Sequence, residues 1–257
     1  MREFVMGDIH GSFKALKQCL TRSKFDYRND RLIQLGDVTD RHGDVYECVE
    51  ELLKIKNLIA LRGNHDDWMD EFIQTGYHPA NWLQGGLETV KSYLSQANVK
   101  SISAFNHYEL KALIKPEDIP KRHRDFFTNM QLYYIDEHGR CFVHGGFNRF
   151  LSFTSQSPSI YYWDRELWLS AMEWQVNEKL HPGQETFEMK TRFKEIFIGH
   201  TPTTEWNTTV PMNGANVYNL DTGAGQVGKL TIKEVTTKKF WQSDPMSELY
   251  SKGPILA

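Results

Sequence analysis

The sequence predicts an α/β fold with parallel strands covered by helices. Short apolar runs at 3–6 (EFVM), 31–35 (RLIQL) and 58–61 (LIAL) read as strands, each stopping at or near a glycine, at Gly7, Gly36 and Gly63. Between them, Phe13, Leu16 and Leu20 recur at helical spacing over 13–22, with Ser12 at the N-cap position, and Val45, Val49, Leu52 and Leu53 mark a second helix. This βαβαβ alternation builds a parallel sheet with helices packed on it.

Residues 66–130 break the alternation and predict a helical insertion. Trp68, Phe72, Trp82 and Tyr93 read as its packing core, Gly85–Gly86 as a turn, and the basic run Lys121–Arg122–His123–Arg124 as a solvated helix end. Strands return at 132–135, 140–144 and 195–198, with a helix around Leu167–Val176. Residues 216–220, 227–235 and 239–242 read as an antiparallel meander closing the sheet, and the last dozen as a loose tail. Residues 1–257 are expected to form one domain.

A chain of 257 residues buries a sizeable core without staples. Its 40% hydrophobic and 25% charged content is that of a soluble globular protein. Lys+Arg 30 against Asp+Glu 33, net charge −3, gives no general attraction to nucleic acid or an anionic membrane, but leaves room for a local basic pocket. Cys19, Cys48 and Cys141 lack metal-type spacing and are odd in number, so buried thiols are expected rather than a disulfide framework. No apolar run is long enough to span a bilayer, and MREFVMGDIHG lacks an apolar leader, so the cytoplasm is the expected compartment.

Five polar clusters follow the predicted strands, each flanked by glycine: Asp8–Ile9–His10, Asp37, Asn64–His65–Asp66, His144 and His200. Singly, each reads as a cap, a turn or a surface residue. Their repetition in one context is the signal, because ligand sites form at the carboxyl ends of strands in open α/β sheets. Asp8 and His10 fall on one face if the strand continues. Asn64 and His65 present an amide oxygen and an imidazole on one turn. An oxygen and nitrogen donor set without cysteine suits manganese, iron or zinc rather than a structural zinc site.

Gly7–Asp8–Ile9–His10–Gly11, Gly36–Asp37–Val38–Thr39–Asp40–Arg41, Gly63–Asn64–His65–Asp66, His144–Gly145–Gly146 and Gly199–His200–Thr201 together resemble the ordered motifs of calcineurin-like metallophosphoesterases. The resemblance runs from Gly7 to the region of Gly225. The Asp40–Arg41 pair is similar to that of bacterial serine/threonine phosphoprotein phosphatases and symmetrical dinucleoside tetraphosphatases. It implies a four-layer αββα sandwich of two mixed sheets with a dimetal site at the sheet edge. It also implies that Asp8 and His10 hold a first metal, that Asp37 bridges, and that Asn64, His144 and His200 hold a second. Manganese is the first expectation, with iron, zinc or nickel as alternatives. Such a pair lowers the pKa of a shared water, and direct in-line attack by that hydroxide follows without a phosphoenzyme.

The resemblance further implies that His65, held by Asp40, protonates the leaving oxygen. It makes Arg41 and Arg165 the phosphate clamp, in keeping with the fit of guanidinium to phosphate oxygens. Arg62 is a third candidate, with an ion-paired reading equally open. The expected function is phosphomonoester hydrolysis of the serine/threonine protein phosphatase kind. The alternatives are a symmetrical dinucleoside tetraphosphatase or other nucleotide phosphohydrolase, and a non-catalytic phospho-ligand module, which predicts lost ligands where none is lost. The expected partner is a phosphorylated protein or nucleotide, with no stable nucleic acid partner and no membrane. His42 stands where the family has glycine, and Asp66 where eukaryotic members have Glu. Asn219–Gly225 resembles a Gly-rich segment of bacterial relatives. Trp82–Thr89 resembles a segment that covers their cleft.

Overall fold

The computed structural model describes residues 1–83, 85–97, 113–184 and 186–250. Gln84, much of the predicted insertion after residue 97, and the predicted tail from 251 therefore lie outside the described residues. The chain builds two five-stranded mixed sheets. In the first, β1 (Glu3–Met6), β2 (Arg31–Gln34) and β3 (Asn57–Ala60) run parallel, as the alternation requires. Antiparallel β9 (Thr231–Glu234) and β10 (Phe240–Gln242) extend it beyond β1. In the second, β5 (Arg140–Val143), β6 (Glu195–Ile198) and β8 (Val217–Asn219) are parallel, with β4 (Tyr133–Ile135) and β7 (Met212–Gly214) antiparallel at the edges.

Strand alternation stacks the layers. Phe4, Met6 and Leu32 point outward into a core with α1 (Phe13–Arg22) and α2 (Val45–Leu52), while Val5 and Ile33 point inward. The inward set meets Phe142 and Phe197 of the second sheet, whose rings stack at 4.9 Å. On that sheet's outer face, Cys141, Val143, Ile196, Ile198 and Val217 pack against α6 (Ile160–Trp163), α7 (Glu166–Leu180) and their neighbours. Both sheets are thus covered on both faces, which explains strands that read as nearly continuous apolar runs. All three cysteines are free and buried.

The insertion contributes α3 (Asn64–Thr75), α4 (Gly86–Gln96) and α5 (Lys121–Thr128), which join the outer core of the first sheet through Phe72, Tyr93 and Phe127, with Trp82 added from the 3-10 turn Ala80–Leu83. Within α5, His123 is not part of a solvated end: it is buried, bonded to Tyr93 Oη and the Glu50 carboxylate. The predicted meander is also corrected. β8 belongs to the second sheet and β9–β10 to the first, because the chain crosses between sheets after Asn219. Residues 246–250 are not a loose tail, since α8 (Met246–Leu249) buries Met246, and Tyr250 Oη donates to Asp44. Ser12 precedes α1 without capping it, because its hydroxyl turns back to the Ile9 carbonyl. Among the described residues no helix is long and apolar enough to cross a membrane.

Candidate active site

Six loops leave the carboxyl ends of β1, β2, β3, β5, β6 and β8 and converge at one edge of the sandwich. They bring His10, Asp37, Arg41, Asn64, His65, Arg165 and His200 around one cavity of about 160 Å³, with Trp163, Glu205, Asp221 and Gln226 on its walls. Asp8 and His144 stand behind them: Asp8 Oδ2 accepts the His200 N–H at 3.1 Å, and His144 Nε2 lies 3.3 Å from Asn64 Oδ1. A larger cavity of about 850 Å³, lined by Phe150, Trp174, Phe187 and Phe193, includes none of these polar residues.

The loops are tightly wound. Of the nine non-glycine residues with positive φ among the described residues, five are here: His10, Asp37, Asp40, Arg41 and His200. Each costs about 1–3 kcal/mol, which the surrounding hydrogen bonds must offset. Asp8 and His10 therefore do not lie along a continuing strand. The strand stops at Met6, and a turn with His10 at φ 49° aims the ring. Asn64–Asp66 are not a free turn either, but the first residues of α3. Asp66 bonds the backbone N–H groups of Asp37 (2.6 Å), Val38 (2.9 Å), Thr39 (3.2 Å) and Gly63 (3.1 Å), tying the second and third loops together. A Cβ on Gly63 would sit 2.1 Å from Asp37 Oδ1, so only glycine permits that approach.

Two histidines are preset as nitrogen donors. His10 Nδ1 donates to Thr39 O at 2.9 Å and His144 Nδ1 to Leu35 O at 2.8 Å, since a carbonyl can only accept. Their Nε2 lone pairs then face Asp37 at 3.5 Å each, one toward either carboxylate oxygen. Burial pushes His10 down to about 3, His200 to about 2, and His144 below its ordinary value, which favours the neutral, ligating form. Burial and then Asp221 and Asp37 push Asp8 well up, and burial raises Asp221 to about 7. Asp37 is held low: burial opposes its charge, but His144, His65, His10 and His200 outweigh it.

Asp8 Oδ1 and His200 Nε2 are buried without a hydrogen-bond partner. Buried polar atoms are rarely left so. His10, Asp37 and His65 form one cluster of convergent donor atoms, and Asp37, His144 and His200 a second that shares Asp37. Asp8 falls outside the tighter first cluster, where His65 takes its place. His65 Nδ1, however, lies 2.6 Å from Asp40 Oδ2, which leaves Nε2 to face the cavity. Orphaned donors, neutral imidazoles and crowded carboxylates fit a pair of divalent cations.

The family profile of calcineurin-like phosphoesterases matches residues 1–208. The chain belongs to this family. It is a metal-dependent phosphoric ester hydrolase. Among relatives of this phosphoesterase, serine/threonine-protein phosphatase 1 of Salmonella typhimurium is 27% identical over 232 residues, 90% of this chain and 91% of that one. A symmetrical bis(5'-nucleosyl)-tetraphosphatase of Pseudomonas fluorescens is 36% identical over 67 residues, 26% of this chain and 24% of that one. A solved structure with a provisional diadenosine tetraphosphatase assignment superposes with TM-score 0.63 at 15% identity, covering 95% of this chain and 93% of that one. A metallophosphoesterase of Sphaerobacter thermophilus does so with TM-score 0.53 at 17% identity, covering 98% and 92%.

The remaining expected residues divide. Arg165 Nη1 donates to His200 O at 3.0 Å and Thr201 Oγ1 at 2.9 Å, which aims it along the cavity wall. Arg62 is outside the cavity lining, ion-paired to Asp67 (3.1 Å) and Asp70 (3.0 Å). His42 does not line the cavity, whereas its neighbour Arg41 does. His42 is buried, with Nε2 2.9 Å from Ala224 O and its ring stacked on Tyr250. Asp66 and Asp221 are site residues that the motifs did not single out for a role. Asp66 was legible only as a variant position, and Asp221 only within the Gly-rich Asn219–Gly225 run.

Proposed function

We propose that this phosphoesterase hydrolyses phosphomonoesters, with serine or threonine phosphoproteins as its substrates. One observation carries the reading: an oriented imidazole and two guanidinium-bearing residues face a single small polar cavity. Asp8, His10 and Asp37 would hold one cation, and Asp37, Asn64, His144 and His200 the other, with manganese the expected metal. When bound, such a pair polarises phosphoryl oxygens and supplies nucleophilic water at neutral pH. Arg41 and Arg165 bind the phosphate oxygens and counter their charge. Asp40 fixes the His65 ring, so that Nε2 presents its proton to the leaving alkoxide, which departs poorly without one. A cavity of about 160 Å³ takes a phosphoryl group and leaves the rest of the substrate on the rim, as a peptide chain would lie. The full-length similarity to a serine/threonine-protein phosphatase supports the same reading.

The same reading treats residues 1–257 as one catalytic domain, with 66–130 as an insertion whose described helices share the core of the first sheet. A second reading, hydrolysis of a nucleotide polyphosphate, is favoured by the tetraphosphatase-like stretch and by Trp163. This residue is 44% exposed at the cavity lip, beside His200, where an aromatic ring can stack on a base. The test is kcat/KM of the manganese-loaded enzyme on a phosphoserine peptide and on diadenosine tetraphosphate. A preference for the peptide of about tenfold or more is expected. The reverse preference overturns the protein phosphatase assignment in favour of the second.

A further inference from the structure

Asp40 is fully buried, and its two carboxylate oxygens have different partners. Oδ2 meets His65 Nδ1. Oδ1 accepts two further hydrogen bonds, from Trp82 Nε1 at 3.0 Å and from Thr89 Oγ1 at 2.6 Å. The Thr89 hydroxyl also accepts the Asp40 backbone N–H at 2.9 Å. The next residue is held by the same segment, since Arg41 N–H donates to Gly85 O at 3.3 Å. Both Asp40 and Arg41 have positive φ, at 72° and 70°, so the turn that carries them is kept in shape from outside. Trp82 is itself locked in place. Its ring lies 5.4 Å from Phe72 and 5.2 Å from His78, and a Cβ on Gly86 would sit 2.5 Å from its Cδ1.

We infer that Trp82 and Thr89 are positioning residues for the acid step: they fix the Asp40 carboxylate, and through it the orientation of His65. The helical insertion is thereby part of the catalytic apparatus rather than packing alone. The inference rests on the reading of His65 as proton donor. In that step a water oxygen forms a new bond to phosphorus as the ester P–O bond breaks; the electrons of that bond pass to the leaving oxygen, which takes the Nε2 proton of the His65 imidazolium and leaves the ring neutral with its Nδ1–H on Asp40. A carboxylate held by two donors at Oδ1 is fixed in rotation and presents Oδ2 to the imidazole in one direction. Removing one donor to Oδ1 frees the carboxylate to rotate, and the imidazole with it.

Trp82→Phe and Thr89→Val each delete a donor to Oδ1, the second with side-chain shape kept, and Thr89→Ser keeps the hydroxyl. His65→Asn should lose about 10²–10⁴-fold on a phosphoserine peptide and far less on p-nitrophenyl phosphate, whose leaving group needs no proton. Trp82→Phe and Thr89→Val should each lose about tenfold on the peptide and about twofold or less on the aryl ester, with metal content unchanged. Thr89→Ser should restore the Thr89→Val loss. In a His65→Asn background neither substitution should cost anything further. Histidine-labelled NMR of the metal-free protein supplies an independent readout, in which the His65 Nδ1 proton resonance moves upfield in both variants. If His65→Asn loses equally on both substrates, the proton-donor reading fails and the inference with it. If His65→Asn shows the leaving-group dependence, but Trp82→Phe and Thr89→Val lose equally on both esters or add their losses to His65→Asn, the inference alone is overturned.

Discussion

Two groups of buried carboxylates in this phosphoesterase have opposite surroundings. Glu51, at the end of α2, meets Lys17 Nζ and Lys54 Nζ at 2.7 Å each and accepts a bond from Tyr27 Oη. Burial opposes its charge, but those three donors prevail and hold its carboxyl down at about 2. At the sheet edge, Asp8, Asp37, Asp66 and Asp221 crowd together without a lysine among them, and all but Asp37 are pushed upward by burial and by one another. Glu51 carries its own counter-charges, as a group serving stability should. The cluster has only the guanidinium groups of Arg41 and Arg165 beside it, and a pair of cations would complete the balance. The crowding of carboxylates falls at the same candidate site as the motifs.

The largest effect should come from the carboxylate shared by both donor clusters. Asp37→Asn is expected to lower kcat/KM by about 10³-fold and to lose at least one metal equivalent by elemental analysis. Unchanged metal content would break the comparison at its centre. Next, divalent ions should stabilise the fold by relieving the cluster. At a free ion concentration near 100 times Kd, the gain is about 2.7 kcal/mol. Thermal melts with and without chelator read it, and equal Tm values would mean that the cluster needs no cation.

Glu51→Gln should do the reverse: destabilise by about 1–3 kcal/mol with kcat/KM within twofold. A depressed carboxyl contributes stability above its unfolded pKa and loses it as pH falls through its folded value. The Glu51→Gln penalty should thus be full near pH 7 and shrink on acidification from about pH 4.5 toward pH 2. Urea melts at two pH values test this, and a penalty independent of pH would refute the ion-pair account. The smallest effect belongs to His42→Gly, which removes a ring stacked on Tyr250 and a bond to Ala224 O. It should lower Tm by about 2–4 °C per kcal/mol lost, with both metals retained. Loss of metal would show that this contact also shapes the loop beside His10.

Much of the site was legible because its donors lie in short runs. Asp8 with His10, Asp40 with Arg41, and Asn64 with His65 each declare themselves within a few residues, at a glycine that ends a strand. The partners of those residues are less visible. Asp66 looked like a neutral variant, yet its carboxylate gathers the N–H groups of a turn 27–29 residues away. Trp82 was readable as an apolar core residue, which it is, but the one polar atom of its ring goes to Asp40. β7 is three residues ending in glycine and carries no strand pattern of its own. Alternation marked β8 and β9 as strands without saying that they belong to different sheets.

From sequence alone came the order and identity of the donors, their strand-end setting and the absence of cysteine among them. These determine the family and the class of chemistry, because periodicity and turn residues act over a few positions. The tertiary structure alone decided how the carboxyl edges of two sheets meet, which residues take positive φ, and which side chains hold Asp40 and Asp37 in place. Those outcomes depend on packing between segments far apart in the chain, where a single side chain's partner is set by the layers that surround it.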